Sequence, residues 1–273
     1  MIGRPLVFAA LLALLTATVG LPAPAADDSW LEEDFSGAPT IFNRVIAEMK
    51  PLAEGHQGSG ARSVIPKEGH WGSSGHWEFS EHGLDDPEEL YWRYWIKFPD
   101  GFFIEPRNRG KLPGPSNIAT GRCRGNDPST PSDPCWSARM MFSRNYAGLA
   151  DPDPNGPDDK TLLGFYVYNL DSPSDRGDIW DWNENVALLD HGKWYCVEGR
   201  IDLNTPGEHD GILQGWVDGE PAFDRSGIAF RRANEGELDV ELLVRHLLRG
   251  RRFCQEHGDS LRLTRAGPRS PWL

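Results

Sequence analysis

Beyond its first 25 residues the chain has no apolar run approaching the roughly 20 residues that a membrane helix needs. Apolar residues almost never recur at helical spacing, so the chain reads as strands and turns. Cysteine is scarce: there are four, with no C-x-x-C pair and no nearby histidine pair, so a zinc site of ordinary spacing has no support. The acidic stretch 171–185 carries Asp171, Asp175, Asp178 and Asp181 but lacks the D-x-D/N-x-D/N-G spacing of a calcium loop, and it reads as solvated loop. No G-x-S-x-G elbow occurs, which disfavours serine hydrolase chemistry. No strand carries the paired carboxylates that glycoside hydrolysis requires. No internal repeat is evident, and neither a metal nor a cofactor is expected.

What the chain has is 273 residues with 30 glycines, 22 prolines and 11 tryptophans, enough for one large all-β domain. Residues 1–25 stand apart: a basic start at Arg4, an apolar run from Leu6 to Val19, and small residues at Ala23-Pro24-Ala25 read as a secretory signal peptide. The mature chain, from Ala26, is therefore expected to be exported, secreted or periplasmic, with no membrane attachment after cleavage. Export permits disulfides. Cys123 and Cys135 bracket a polar loop and are expected to be bonded; closing such a loop is worth about 3 kcal/mol. Cys196, inside WYCVEGRIDL, reads as a buried thiol packing as a small hydrophobe.

The net charge is −13, yet from Arg107 to Arg144 seven basic residues face two acidic ones, a net +5. A cleft of one sign focuses field locally whatever the total charge, so Arg109 and Arg144 are candidates to hold an acidic ligand. The acidic remainder argues against nucleic acid. LYWRYWIKF, Leu90 to Phe98, alternates throughout and reads as a central strand, with Trp95 among the residues facing away from the core. Ser29 to Gly37 reads as an edge strand, and strands are expected over Trp194 to Leu203, Gly211 to Asp218, Pro221 to Phe223 and Leu238 to His246. Asp218-Gly219 is a hairpin signal. In GHWGSSGHWEF, His70 and His76 are candidate substrate-facing residues, against a plainer reading as aromatic packing at a sheet rim. DPDPNGPDD, 151–159, holds three prolines and reads as an exposed loop. Together these features predict a two-sheet antiparallel sandwich.

The most informative stretch is WSARMMFSR, Trp136 to Arg144. As a strand it sends Trp136, Ala138, Met140 and Phe142 to one face and Ser137, Arg139, Met141 and Ser143 to the other. Leu162 to Tyr168 likewise divides into Leu163, Phe165 and Val167 against Gly164, Tyr166 and Tyr168. Either motif alone is ordinary strand composition. In the order GKLPG (110–114), WSAR, YVY and WVDG, however, the chain resembles the polysaccharide lyase family 14 group, the alginate and glucuronan lyases. The resemblance covers roughly Leu90 to Arg245 and implies a single concanavalin-like, lectin-like β-jelly-roll domain acting on an acidic polysaccharide. A monomer is expected. It also implies that Lys111, Ser137, Arg139, Tyr166 and Tyr168 bind and act on substrate.

Those residue types suit β-elimination from a uronate. Arginine can hold the C6 carboxylate in a bidentate grip and lysine adds a mobile charge. The carbanion formed at C5 spreads into that carboxylate, so fixed positive groups stabilise it. A tyrosine can take and return a proton if neighbouring cations lower its pKa, and Tyr168 is expected to do so ahead of Tyr166. The other readings are a non-catalytic carbohydrate-binding jelly roll, which needs only exposed aromatics such as Trp95, and a glycoside hydrolase on the same fold. Two features depart from the family pattern. One is the Cys-bracketed insertion. The other is the tail, 247–273, where six arginines and two acids replace the expected aromatic-glycine segment and closing strand. The tail reads as a diverged, truncated or frame-shifted end, and the domain proper as 26–246.

Overall fold

The computed structural model describes residues 29–33, 35, 44–47, 50–53, 55–56, 59–65, 73–103, 109–117, 136–143, 159–172, 177–232, 240–245 and 261–265. The leader, His70, Arg144 and the loop of Cys123 and Cys135 lie outside these residues. In chain order the strands begin with β1 (Ser29–Glu33), β2 (Arg44–Ala47), β3 (Lys50–Leu52), β4 (Gly60–Arg62), β5 (Ser74–Glu78) and β6 (Glu89–Ile96). There follow β7 (Arg109–Lys111), β8 (Gly114–Asn117), β9 (Ser137–Ser143), β10 (Lys160–Tyr168), β11 (Asp178–Asp181), the helical turn α1 (Glu184–Ala187) and β12 (Leu188–Asp190). The last are β13 (Tyr195–Asp202), β14 (Gly211–Val217), β15 (Glu220–Ile228), β16 (Val240–Arg245) and β17 (Leu261–Arg265).

Two antiparallel sheets carry nearly all of them. One has the order β1-β17-β6-β13-β14-β15, and the other runs β11-β10-β9-β8-β16-β5-β2 with β12 beside β10 and β7 beside β9. The alternation of β6 becomes a buried row of Leu90, Trp92, Tyr94 and Ile96 in the first sheet. Opposite it, Ala138, Met140 and Phe142 of β9 and Leu163, Phe165 and Val167 of β10 form the inner face of the second. Trp92 meets Phe165 edge to face at 6.1 Å between ring centres, and Tyr94 Oη donates to Met140 Sδ at 3.1 Å. Each such side chain contributes about 1.5 to 3 kcal/mol by leaving water, which makes this interior the main source of cohesion. Cys196 is fully buried, as its surroundings in the sequence suggest.

Three readings of the sequence need correction. The stretch 171–185 is not all loop: Asp178–Asp181 pairs with β10, and Glu184–Ala187 forms a helical turn capped by Asn183, whose side chain accepts from the Asn185 N–H. Its acids obscured the alternation of Ile179 and Trp180, which face opposite sides of the sheet. His76 does not sit at a rim, because β5 is flanked by both β16 and β2 and the ring is buried. The segment set apart as an atypical tail contributes β17, whose backbone pairs with β1 on one side and β6 on the other.

Burial lowers the pKa of two histidines, His56 and His191, and the second ties the fold to pH. His191 Nε2 lies 2.9 Å from Thr161 Oγ1, beside Phe98 and Phe102, and its Nδ1 is buried without a hydrogen-bond partner among the described residues. Burial lowers its pKa, opposed by Asp159, Asp100 and Asp190. A lowered folded pKa means stability that is present above the unfolded value and lost as pH falls through the folded one. The melting temperature is therefore expected to drop between about pH 8 and about pH 5, and to drop less in His191→Gln. Equal slopes for the two proteins would remove His191 as the cause.

Candidate active site

Strand register assembles the site. In an antiparallel pair, directly opposed residues share a face, and here Ser137 opposes Tyr168, Arg139 opposes Tyr166, and Gly164 opposes Met141. On the other side of β9, Lys111 opposes Met141, Arg109 opposes Ser143, and Ser116 opposes Ser137. Lys111, Ser137, Arg139, Tyr166 and Tyr168 therefore converge on the outer face of the larger sheet, with Arg109 two residues before Lys111 on that same face. The GKLPG turn owes its glycines to this crossing. A Cβ at Gly110 would fall within 1.8 Å of the Phe142 ring, and one at Gly114 within 2.3 Å of the Ala138 carbonyl oxygen and 2.6 Å of Arg139 Cα. Only glycine lets the turn lie this close to β9.

The two phenols form a pair. Tyr166 and Tyr168 hydroxyls are 3.3 Å apart, with the rings at 88° to one another. Lys111 Nζ stands 4.2 Å from the Tyr166 ring centre, and Arg139 Cζ lies 5.7 Å and 5.9 Å from the Tyr166 and Tyr168 ring centres. The Gly177 N–H donates to Tyr166 Oη at 3.0 Å. The face that the sequence presents as open is in fact largely enclosed: Ser137 is 0% exposed, Arg139 4% and Tyr168 7%. Ser137 Oγ, buried there, has no hydrogen-bond partner among the described residues, which leaves a polar group available to a ligand. Enclosure also reverses one electrostatic expectation. Burial, followed by the Tyr166 hydroxyl, pushes the Tyr168 phenol up to about 12, and Arg139 opposes this only in part. Tyr168 is thus a firmly protonated donor near neutral pH, rather than a phenol whose pKa is lowered by cations.

Other predicted residues are placed as follows. His76 lies on the same sheet face but three strands beyond β9, across β8 and β16, so it is not beside the tyrosines. Trp95 belongs to the other sheet, where it stacks on His56 at 3.8 Å on the side facing away from the core. Strand alternation marked it as outward-facing but could not say which sheet it would leave. Asp178 accepts from Asn169 Nδ2 at 2.8 Å and Ser172 Oγ at 3.1 Å. Asp181, three residues on, faces the other side of the sheet, so the two carboxylates do not converge as hydrolysis would require. The sequence reading missed the Gly177 N–H as a contributor, and it did not foresee that Asp181 shares this face opposite Gly164. Their only signal was position in an acidic stretch that becomes the strand beside the tyrosines.

No family model matches the chain, and no curated protein does. Among solved structures it is similar to alginate lyase vAL-1 from Chlorella virus, at 15% identity over 83% of this chain and 93% of that one, TM-score 0.53. It is also similar to the endo-beta-1,4-glucuronan lyase of the fungus Trichoderma reesei, at 12% identity over 87% and 96%, TM-score 0.52. A third likeness is to the PL-14 alginate lyase of Aplysia kurodai, at 15% identity over 82% and 92%, TM-score 0.51. At such identities the likeness establishes the architecture: an antiparallel two-sheet β-jelly roll of the kind these polysaccharide lyases have.

Proposed function

We propose that the chain is an exported polysaccharide lyase that cleaves a uronate polymer, alginate or glucuronan, by β-elimination. The observation that carries this reading is the hydrogen-bonded tyrosine pair flanked by Lys111 and Arg139 on one enclosed sheet face. Two cations around two phenols suit a substrate that must have its carboxylate neutralised and one proton moved, and they do not suit a neutral glucan.

Arg139 holds the C6 carboxylate, with Ser137 Oγ hydrogen-bonding to the same sugar. Tyr166 serves as the base that takes the C5 proton; the Gly177 N–H donates to its oxygen and the Lys111 ammonium lies over its ring, so both favour negative charge on this side chain. The C5 electron pair becomes the C4–C5 double bond and the C4–O4 bond breaks. The departing O4 takes the proton of Tyr168, whose raised pKa keeps it a phenol until that moment. The proton now on Tyr166 then crosses the 3.3 Å hydrogen bond to the Tyr168 oxygen, returning both tyrosines to their starting states. Protons and electrons balance, and no outside reagent is consumed.

Digestion of alginate, polyglucuronate and a neutral glucan in parallel tests the reading. Absorbance of a conjugated 4,5-unsaturated uronate is expected from at least one of the two acidic polymers and not from the glucan. New reducing ends without that absorbance would replace lyase by hydrolase. Binding with no change in polymer length would make the chain a carbohydrate-binding domain.

A further inference from the structure

At the end of β10 away from the tyrosine pair, the outer sheet face carries polar groups that the elimination does not use. Asp181 opposes Gly164 across β10 and β11 and shares its face. A Cβ built on Gly164 would stand 3.4 Å from Asp181 Oδ1 and 2.8 Å from the Trp180 carbonyl oxygen, so the sheet carries no side chain at Gly164 itself, with the buried Met141 opposing it on β9. Among the described residues Asp181 Oδ1 is buried without a hydrogen-bond partner, and so is Ser143 Oγ, which opposes Arg109. Buried acceptors and hydroxyls without partners are uncommon, because each forfeits the hydrogen bonds it had in water. Arg109 acts on Asp181 electrostatically, yet burial prevails and raises the Asp181 pKa. Among the described residues no group of three metal-ligating side chains forms, so Asp181 is not part of such a cluster.

We infer that Asp181 and Arg109 form a binding position for the sugar next to the one being cleaved, with a uronate carboxylate on Arg109 and a ring hydroxyl donating to Asp181. This rests on the lyase reading and extends it. Arg109 and Lys111 are alternate residues of one strand, hence about 7 Å apart along the groove; Lys111 stands at the tyrosine pair, so Arg109 lies far enough along to take the carboxylate of the neighbouring sugar while Arg139 holds that of the cleaved one. An acidic side chain beside Arg109 then fixes which way round the neighbouring sugar lies, since its carboxylate is repelled from Asp181 and its hydroxyls are accepted there. Ser143, between the two on the face, supplies a further polar contact.

The test uses mannuronate and glucuronate oligomers of graded length, with neutral gluco-oligosaccharides as controls. Equilibrium binding is measured in a Tyr168→Phe background so that the ligand survives, and KM and kcat in the otherwise native chain. Asp181→Asn and Arg109→Gln are each expected to weaken binding and raise KM about tenfold for oligomers long enough to reach the position, with kcat falling much less. The shortest substrates should be nearly indifferent, and the double variant should lose little more than either single one, because both hold one sugar. Unaltered affinity at every length in a variant that folds, with cleavage intact in the native chain, overturns the inference and leaves the lyase reading standing. If Asp181→Asn fails to fold, Arg109→Gln decides alone. Absence of both cleavage and uronate binding in the native chain would instead bring down the lyase reading.

Discussion

Replacing Tyr168 with phenylalanine is expected to lower kcat by about 10² to 10⁴-fold, the usual worth of a positioned proton donor, with KM changed by no more than about twofold. The ring remains to pack beside Arg139 and only the transferable proton is lost. Tyr166→Phe should cost a comparable factor, since it removes the acceptor at the other end of the same hydrogen bond. The double variant should be hardly worse than either, because residues that act as one unit do not contribute additively. Arg139→Ala should differ in kind, raising KM as well as lowering kcat, because the guanidinium both holds substrate and stabilises the carbanion. With its phenol held at about 12, Tyr168 remains a donor throughout the neutral range. Any alkaline loss of activity below about pH 10 must then come from another group. A loss of only two- or threefold in Tyr168→Phe would remove it from the mechanism.

Gly114→Ala is expected to be the most damaging single-methyl change near the site. The added carbon meets backbone, the Ala138 carbonyl oxygen at 2.3 Å and Arg139 Cα at 2.6 Å, and backbone cannot rotate away. Overpacking of this kind costs about 3 kcal/mol, a fall of roughly 6 to 12 °C in Tm for a domain of this size. Because the strain is applied at Arg139 itself, residual activity should fall further than the loss of folded protein explains. A variant with native Tm and native kcat would show that β8 and β9 have more room than these distances allow.

The rows of alternating residues in 90–98, 136–143 and 162–168 were legible because period two is a local property of a strand. They correctly assigned Trp136, Ala138, Met140 and Phe142 to the core and Ser137, Arg139, Tyr166 and Tyr168 to a common face. What period two cannot convey is which strand lies beside which. Trp95 therefore appeared to be a candidate for the groove although its strand belongs to the other sheet, and His76 was grouped with residues three strands away. Asp181 was hidden for a related reason: its partner Gly164 lies across a segment rich in Asp and Ser, and nothing local specifies that pairing. The enclosure of Tyr168 was equally out of reach, since burial is the sum of contacts made by distant segments.

The placing of β17 between β1 and β6 has a consequence for the order of assembly. Of these three neighbouring strands β1 and β17 come from opposite ends of the chain and β6 from its first half, so both pairings of β17 close very long loops. Contacts of such long sequence separation form slowly, because the entropy of loop closure is lost before any pairing repays it. During synthesis β6 can pair with β13 on one side while its other edge stays bare until Leu261–Arg265 has left the ribosome. The exposed edge of β6 is a template for another chain in that interval. This chain is thus one whose yield should depend on how long it is kept from meeting copies of itself before its last strand arrives.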